Sequence, residues 1–95
     1  MNDNVEQLHK EQDKAREAML LLKNPALSEA FELVEESYLA GLLKAGEKDD
    51  LGRFRFAEAI KVVKLVRHHL EVLVKSGELA DHELKQLEGR KRPFF

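Results

Sequence analysis

From Arg53 to Ser76 the chain reads RFRFAEAIKVVKLVRHHLEVLVKS, with no proline or glycine and with apolar residues recurring every three or four positions. That spacing is the signature of one long helix with a buried stripe. Asp50 is the natural N-cap, because its carboxylate can accept from the free N–H groups of the first turn. Asp49 beside it adds negative charge at the positive end of the helix dipole. Lys75 and Gly77 mark the other end, glycine being the usual residue at the left-handed C′ position. The stretch 50–76 therefore predicts a helix of roughly 26 residues, about 39 Å long at 1.5 Å per residue. The other segments read most simply as packing against it.

On a helical wheel, Phe56, Ala59, Ile60, Val63, Val66, Leu70, Leu73 and Val74 share one broad face. The opposite side is not purely polar. Phe54, Leu65 and Val72 line up there among Lys61, Lys64, His68 and Lys75. Scattered surface hydrophobes are normal, but three large ones in register predict a second contact surface.

Upstream, Asn24-Pro25 is the clearest boundary. Asn24 caps and Pro25 takes N1, where its missing N–H costs nothing. A helix over 25–45, stopping at Gly46, would turn Leu27, Ala30, Phe31, Val34, Tyr38, Leu42 and Ala45 to the core. Gly41 shares that face. It costs about 1 kcal/mol relative to Ala in a helix interior, so it marks a close approach by a neighbour. Leu33, Ala40 and Leu43 sit on the far side, again suggesting a second interface. The linker Gly46-Glu47-Lys48-Asp49 is short, which predicts antiparallel neighbours. Charge agrees: Glu29, Glu32, Glu35 and Glu36 against Lys44 give net −3 over 25–45, while six Lys or Arg against three acids give net +3 over 50–76.

Before Asn24, a helix over 4–22 carries Val5, Leu8, Gln12, Ala15, Met19 and Leu22 at alternating spacings of three and four, an a/d heptad seam. Alone it would be marginal in water. The link at Lys23-Asn24 is very short for folding back on the next helix, which leaves the seam to pack either within the chain or on a neighbouring chain. After Gly77, Asp81 caps a short fourth helix over 81–88 with Leu79, Leu84 and Leu87 as contacts, and Gly89 closes it. The tail, residues 90–95, is basic and then aromatic, and Pro93 keeps it extended. The fold class is thus all-α: a long antiparallel hairpin of helices two and three, with an N-terminal helix and a short C-terminal one. Residues 1–89 are read as a single domain.

Ninety-five residues, 43% hydrophobic and 36% charged, fit such a helix-rich chain. The net charge of −2 supplies no global pull toward nucleic acid or an anionic membrane. There is no cysteine, which excludes disulfides and thiolate metal sites. The longest apolar run, Ala18 to Leu22, is too short to cross a bilayer. The start Met1-Asn2-Asp3-Asn4 lacks the basic and apolar regions of a signal peptide, so an intracellular site is expected.

Little resembles an active site. His68 and His69 are adjacent on a helix and point about 100° apart, and His9 and His82 stand alone, so no metal and no cofactor is expected. Glu35, Glu36 and Ser37 are consecutive and splay apart, which suits a solvated face better than acid–base work. No phosphate loop or nucleophile pattern appears. The chain is read as a non-enzyme. Candidate nucleic-acid contacts are Arg53, Lys61, Lys64 and Lys75 with Arg90, Lys91 and Arg92 of the tail; aromatic interleaving is nearly absent, and nucleic acid is not the favoured partner. Pro93, Phe94 and Phe95 form a candidate docking tail.

The segments NPALSEAFELVEESYLAGLLKA, DDLGRFRFAEAIKVVKLVRHHLE and SGELA resemble short helical proteins of tailed bacteriophages and prophages, encoded near head and DNA-packaging genes. The resemblance covers roughly residues 24–80. It rests on the Asn-Pro helix start, the turn at Asp49-Asp50 with Gly52-Arg53, the Val66-Arg67 and His69-Leu70 segment, and the turn at Gly77 with Leu79-Ala80. It implies a phage context, a non-enzymatic and multimeric role in head assembly or packaging, and a location in the host cytoplasm or the virion. Helix one and the tail lie outside it.

The leading expectation is a homo-oligomer whose interface holds Leu33, Leu43, Phe54, Leu65 and Val72, with itself and another phage or host protein as partners and no membrane. The alternatives are a nucleic-acid-binding subunit similar to a small terminase, and an inhibitor or sponge of a host factor.

Overall fold

The computed structural model describes residues 2–91, with side chains for 4–90. Three helices account for nearly all of it: α1 (Asn2–Lys23), α2 (Pro25–Lys44) and α3 (Asp50–Lys91). No strand occurs among the described residues. The described residues pack as two compact units: residues 23–69 form the first, and those before 23 together with those after 69 form the second. Helix α3 contributes to both, packing against α2 in one and α1 in the other.

The start of α2 follows from its sequence. Asn24 sits at φ −72° and ψ 116°, and its side-chain oxygen accepts from the Leu27 N–H at 3.1 Å, with Pro25 in the first turn. The end is at Lys44. Ala45 leaves the helix in an extended conformation and donates its N–H to the Gly41 carbonyl at 3.1 Å. The start of α3 corrects the sequence reading by one residue. Asp49, not Asp50, is the cap: its carboxylate accepts from Gly52 N–H at 2.9 Å and its carbonyl from Arg53 N–H at 3.1 Å. Asp50 instead pairs with the Arg53 guanidinium. Arg53 also donates to the carbonyls of Gly46 at 2.6 Å and Glu47 at 2.8 Å, so one side chain fastens the whole linker.

The larger correction is at Gly77. The helix does not stop there, and no separate helix begins at Asp81; α3 runs for 42 residues. No described residue has a positive φ, glycines included, so neither Gly77 nor Gly46 nor Gly89 adopts the left-handed cap conformation. Gly77 is buried in the second unit, where a Cβ would overlap the Cβ of Ala15 and come within 3.4 Å of the Glu11 carbonyl. The glycine serves close approach between two helices, and the packing gained there offsets its cost of about 1 kcal/mol in a helix interior. Asp81 is no cap either: it accepts a hydrogen bond from the Gln12 amide across the two helices.

In that unit the α1 seam packs within the chain, on α3. The unbroken α3 supplies the platform. Leu8 and Ala18 of α1 and Ala80 of α3 are buried, and these are its core. Met19 and Val74 line one cleft, and Val5 and Leu87 line another, so the two helices run in opposite senses.

In the α2–α3 unit, Arg67 donates to the Ser28 hydroxyl at 3.4 Å and its guanidinium lies 5.7 Å from the Phe31 ring centroid. Near the other end of α2, a Cβ on Gly41 would stand 2.5 Å from the Phe56 ring. The close approach read from Gly41 is thus made by Phe56. Phe31 and Val63 line the seam and are half-buried, not buried. No residue of α2 is buried.

Candidate functional site

The α2–α3 unit is a single layer of two helices, and a stable core needs two. Its two broad sides differ sharply in chemistry. On one side Glu32, Glu35 and Glu36 of α2 share a cleft with Ile60 and Lys64 of α3. One Glu35 carboxylate oxygen is shielded from solvent there, with no hydrogen-bond partner among the described residues. On the other side Leu27, Ala30, Phe31 and Val34 of α2 face Val62, Val63 and Val66 of α3 across an open groove that no charged side chain lines. Much of it lies in water: Val62 is 59% exposed, Val66 51% and Val34 40%.

The segregation follows from the helical repeat. Glu32, Glu35 and Glu36 of α2 fall on one side of its contact stripe, while 27, 30 and 34 fall on the other. In α3, Lys61, Lys64 and His68 take the charged side and Val62 and Val66 the uncharged one. Charges of both signs therefore meet on one side of the unit, while the stretch lined by residues 27–34 and 62–66 stays uncharged.

Leu33, Leu43, Phe54 and Leu65, expected in an interface, are all exposed in this unit, and Leu43 reaches 77%. Val72 is exposed too and belongs to the α1–α3 unit. The groove is open although six of its seven lining residues, all but Val62, fall on the core faces that the sequence predicts. Arg67 was missed. Its signal was its place four residues after Val63, on the contact stripe.

The candidate nucleic-acid contacts are mostly engaged locally. Arg53 holds the linker, Lys61 pairs with Glu58 at 3.1 Å, Lys75 pairs with Glu78 at 3.5 Å, and Lys64 stands among glutamates. Exposed pairs of this kind are worth only about 0–1 kcal/mol, but they leave a field of mixed sign and not a basic track. Arg90 is exposed. The Lys91 side chain, Arg92 and the docking-tail residues Pro93, Phe94 and Phe95 lie outside the described residues.

Among the described residues no group of three or more His, Asp or Glu is disposed to hold a metal, and no helix is long and apolar enough to cross a membrane. Glu35 is half-buried while Glu36 and Ser37 are exposed, so the three do not converge on one point. No protein-family model, curated protein or solved structure matches the chain.

Proposed function

We propose that this chain is a non-enzymatic helical module that works through protein–protein contacts, first with further copies of itself, in the head-assembly or DNA-packaging setting that its phage resemblance implies. The α2–α3 unit carries this reading. It exposes large apolar side chains on its groove and along its outer edges, Leu33, Leu43, Phe54 and Leu65 among them, while none of its described residues is buried. Large apolar side chains left in water in such number on one unit mark it as a surface that meets a partner. Burying one large side chain is worth roughly 1.5–3 kcal/mol, so covering several is a strong drive to associate. In this reading the long antiparallel pair of α2 and α3 is the working part, and α1 braces the far half of α3.

The competing nucleic-acid role makes a separable demand. Cations that bind phosphate release counterions, so affinity must fall steeply as salt rises. Fluorescence anisotropy of a labelled duplex should show no saturable binding by the full chain at about 50 mM salt, a condition that favours phosphate contacts. Tight binding lost steeply with added salt would overturn the protein-contact reading in favour of the nucleic-acid one.

A further inference from the structure

We infer that successive copies of this chain pack edge to edge, the outer face of α2 in one copy against the outer face of α3 in the next. This rests on the protein-contact reading above and makes it specific: it names the occupant and both faces.

The faces are those turned away from the seam of the α2–α3 unit. On α2 the helical repeat brings Glu29, Leu33, Glu36, Ala40 and Leu43 into one outer stripe, and all five are exposed. On α3 it brings Phe54, Ala57, Lys61, Leu65 and His68 together along the opposite edge of the unit. The four large apolar members stand well out in water: Leu33 is 56% exposed, Leu43 77%, Phe54 61% and Leu65 65%. One stripe mixes its apolar residues with acids, and the other mixes them with bases.

What selects a second copy is how the two stripes match. Within the chain, Gly41 lies beside Phe56, and Phe31 beside Arg67. These contacts set which residues of the two antiparallel helices stand at the same height. Rotation about an axis parallel to the helices keeps every height, so it brings α2 of one copy to α3 of the next in that same alignment. Leu43 then falls opposite Phe54 and Leu33 opposite Leu65, large apolar against large apolar. Ala40 falls opposite Ala57, which lets the two backbones come close. Glu36 falls opposite Lys61 and Glu29 opposite His68, acid against base. Every position of the stripe finds its complement. Like-with-like pairing fails this test. An antiparallel α2–α2 contact centred on the stripe sets Glu36 against Glu36, and the corresponding α3–α3 contact sets Lys61 against Lys61. Like charges brought together in this way select against the wrong pairing. Lys61 pairs with Glu58 of its own helix at 3.1 Å, but an exposed pair of that kind is weak and does not compete with Glu36 once the edges meet. The contact is heterologous: each copy offers one edge of each kind, and a series of copies closes as a ring or runs on as a filament.

Two full-chain variants test this. Leu33→Glu blocks the α2 edge and Leu65→Glu the α3 edge. Both sites are more than half exposed, so helix content by circular dichroism should be retained. Every edge-to-edge contact needs one edge of each kind, so either variant alone should run at 10.9 kDa by light scattering, where the wild type runs at twice that mass or more. Mixed in equal amounts, the two variants keep one intact edge of each kind between them and should form a 1:1 dimer that grows no further. If either variant alone keeps the wild-type mass, or if the mixture stays at 10.9 kDa, the edge-to-edge inference falls and the protein-contact reading stands. A wild type that is itself monomeric overturns both. Should a variant lose helix, Ala40→Cys with Ala57→Cys in one chain serves instead, read without background because the sequence has no cysteine. Oxidation should then link copies into a ladder of dimers and trimers on a denaturing gel, since a disulfide forms only where the two positions meet closely. Ala40→Cys alone should give no ladder and no dimer. Equal linking by Ala40→Cys alone, or no linking by the pair while the wild-type mass is kept, would overturn the contact.

Discussion

Gly77→Leu should destabilise the α1–α3 unit by about 2 kcal/mol or more, the upper part of the range for overpacking. The glycine is buried, and a Cβ there would overlap the Cβ of Ala15, which has no rotamer to move aside. The two backbones must separate, and the packing of Leu8, Ala18 and Ala80 separates with them. Replacing a helix glycine returns about 1 kcal/mol, which is too little to compensate. For a unit of this size the loss lowers the melting temperature by roughly 8 °C or more. Gly89 is the control. A Cβ on Gly89 meets nothing within 4 Å, so Gly89→Ala should be neutral or stabilising by up to about 1 kcal/mol. A Gly77→Leu protein that melts at or above the wild-type temperature would show that the two helices do not touch at this point.

Val63→Asp should have an effect of similar size in the other unit. Val63 is half-buried on the seam between α2 and α3, close to Phe31 and Val66. A carboxylate there loses the apolar contact, and the Arg67 guanidinium one turn on, which also donates to Ser28 and lies over the Phe31 ring, offsets only a small part of that loss. Partial access to water moderates the penalty, which we place at about 2 kcal/mol. Loss of helical signal at lower temperature, followed by circular dichroism, is the expected result. An unchanged melt would mean that another face of α3 meets α2.

The legible parts of this fold were those set by local chemistry. Asn24-Pro25 fixes a helix start wherever it occurs, because the cap and the missing N–H act within one turn. The seams of α1 and α3 were written in the spacing of their apolar residues. Gly41 was read as a close approach, and Phe56 makes it. What misled was Gly77. Glycine at a helix end and glycine at a helix crossing look alike in isolation, and only the surrounding periodicity separates them. Leu70, Leu73, Gly77, Ala80, Leu84 and Leu87 keep alternating spacings of three and four straight through the glycine, matching the seam from Val5 to Leu22. An unbroken seam argues for an unbroken helix, and it also identifies the partner of α1. Asp81 misled for a related reason: an aspartate after a glycine suggests a cap, but here it faces Gln12.

The surface was legible in part. The outward Leu33, Leu43, Phe54 and Leu65 are exposed, as their wheel positions required. The groove was hidden by an assumption that one helix covers another. Two helices in contact bury only the line along which they meet. Residues at the flanks, Val34, Val62 and Val66, need a further layer, and sequence periodicity gives no sign of whether the chain supplies it.

Self-association is the claim on which the functional reading depends, and sedimentation equilibrium of the wild-type chain from low to high micromolar concentration measures it most directly. The expected mass is at least twice the 10.9 kDa of one chain, reached within that range and falling on dilution. A mass of 10.9 kDa at every concentration would contradict it.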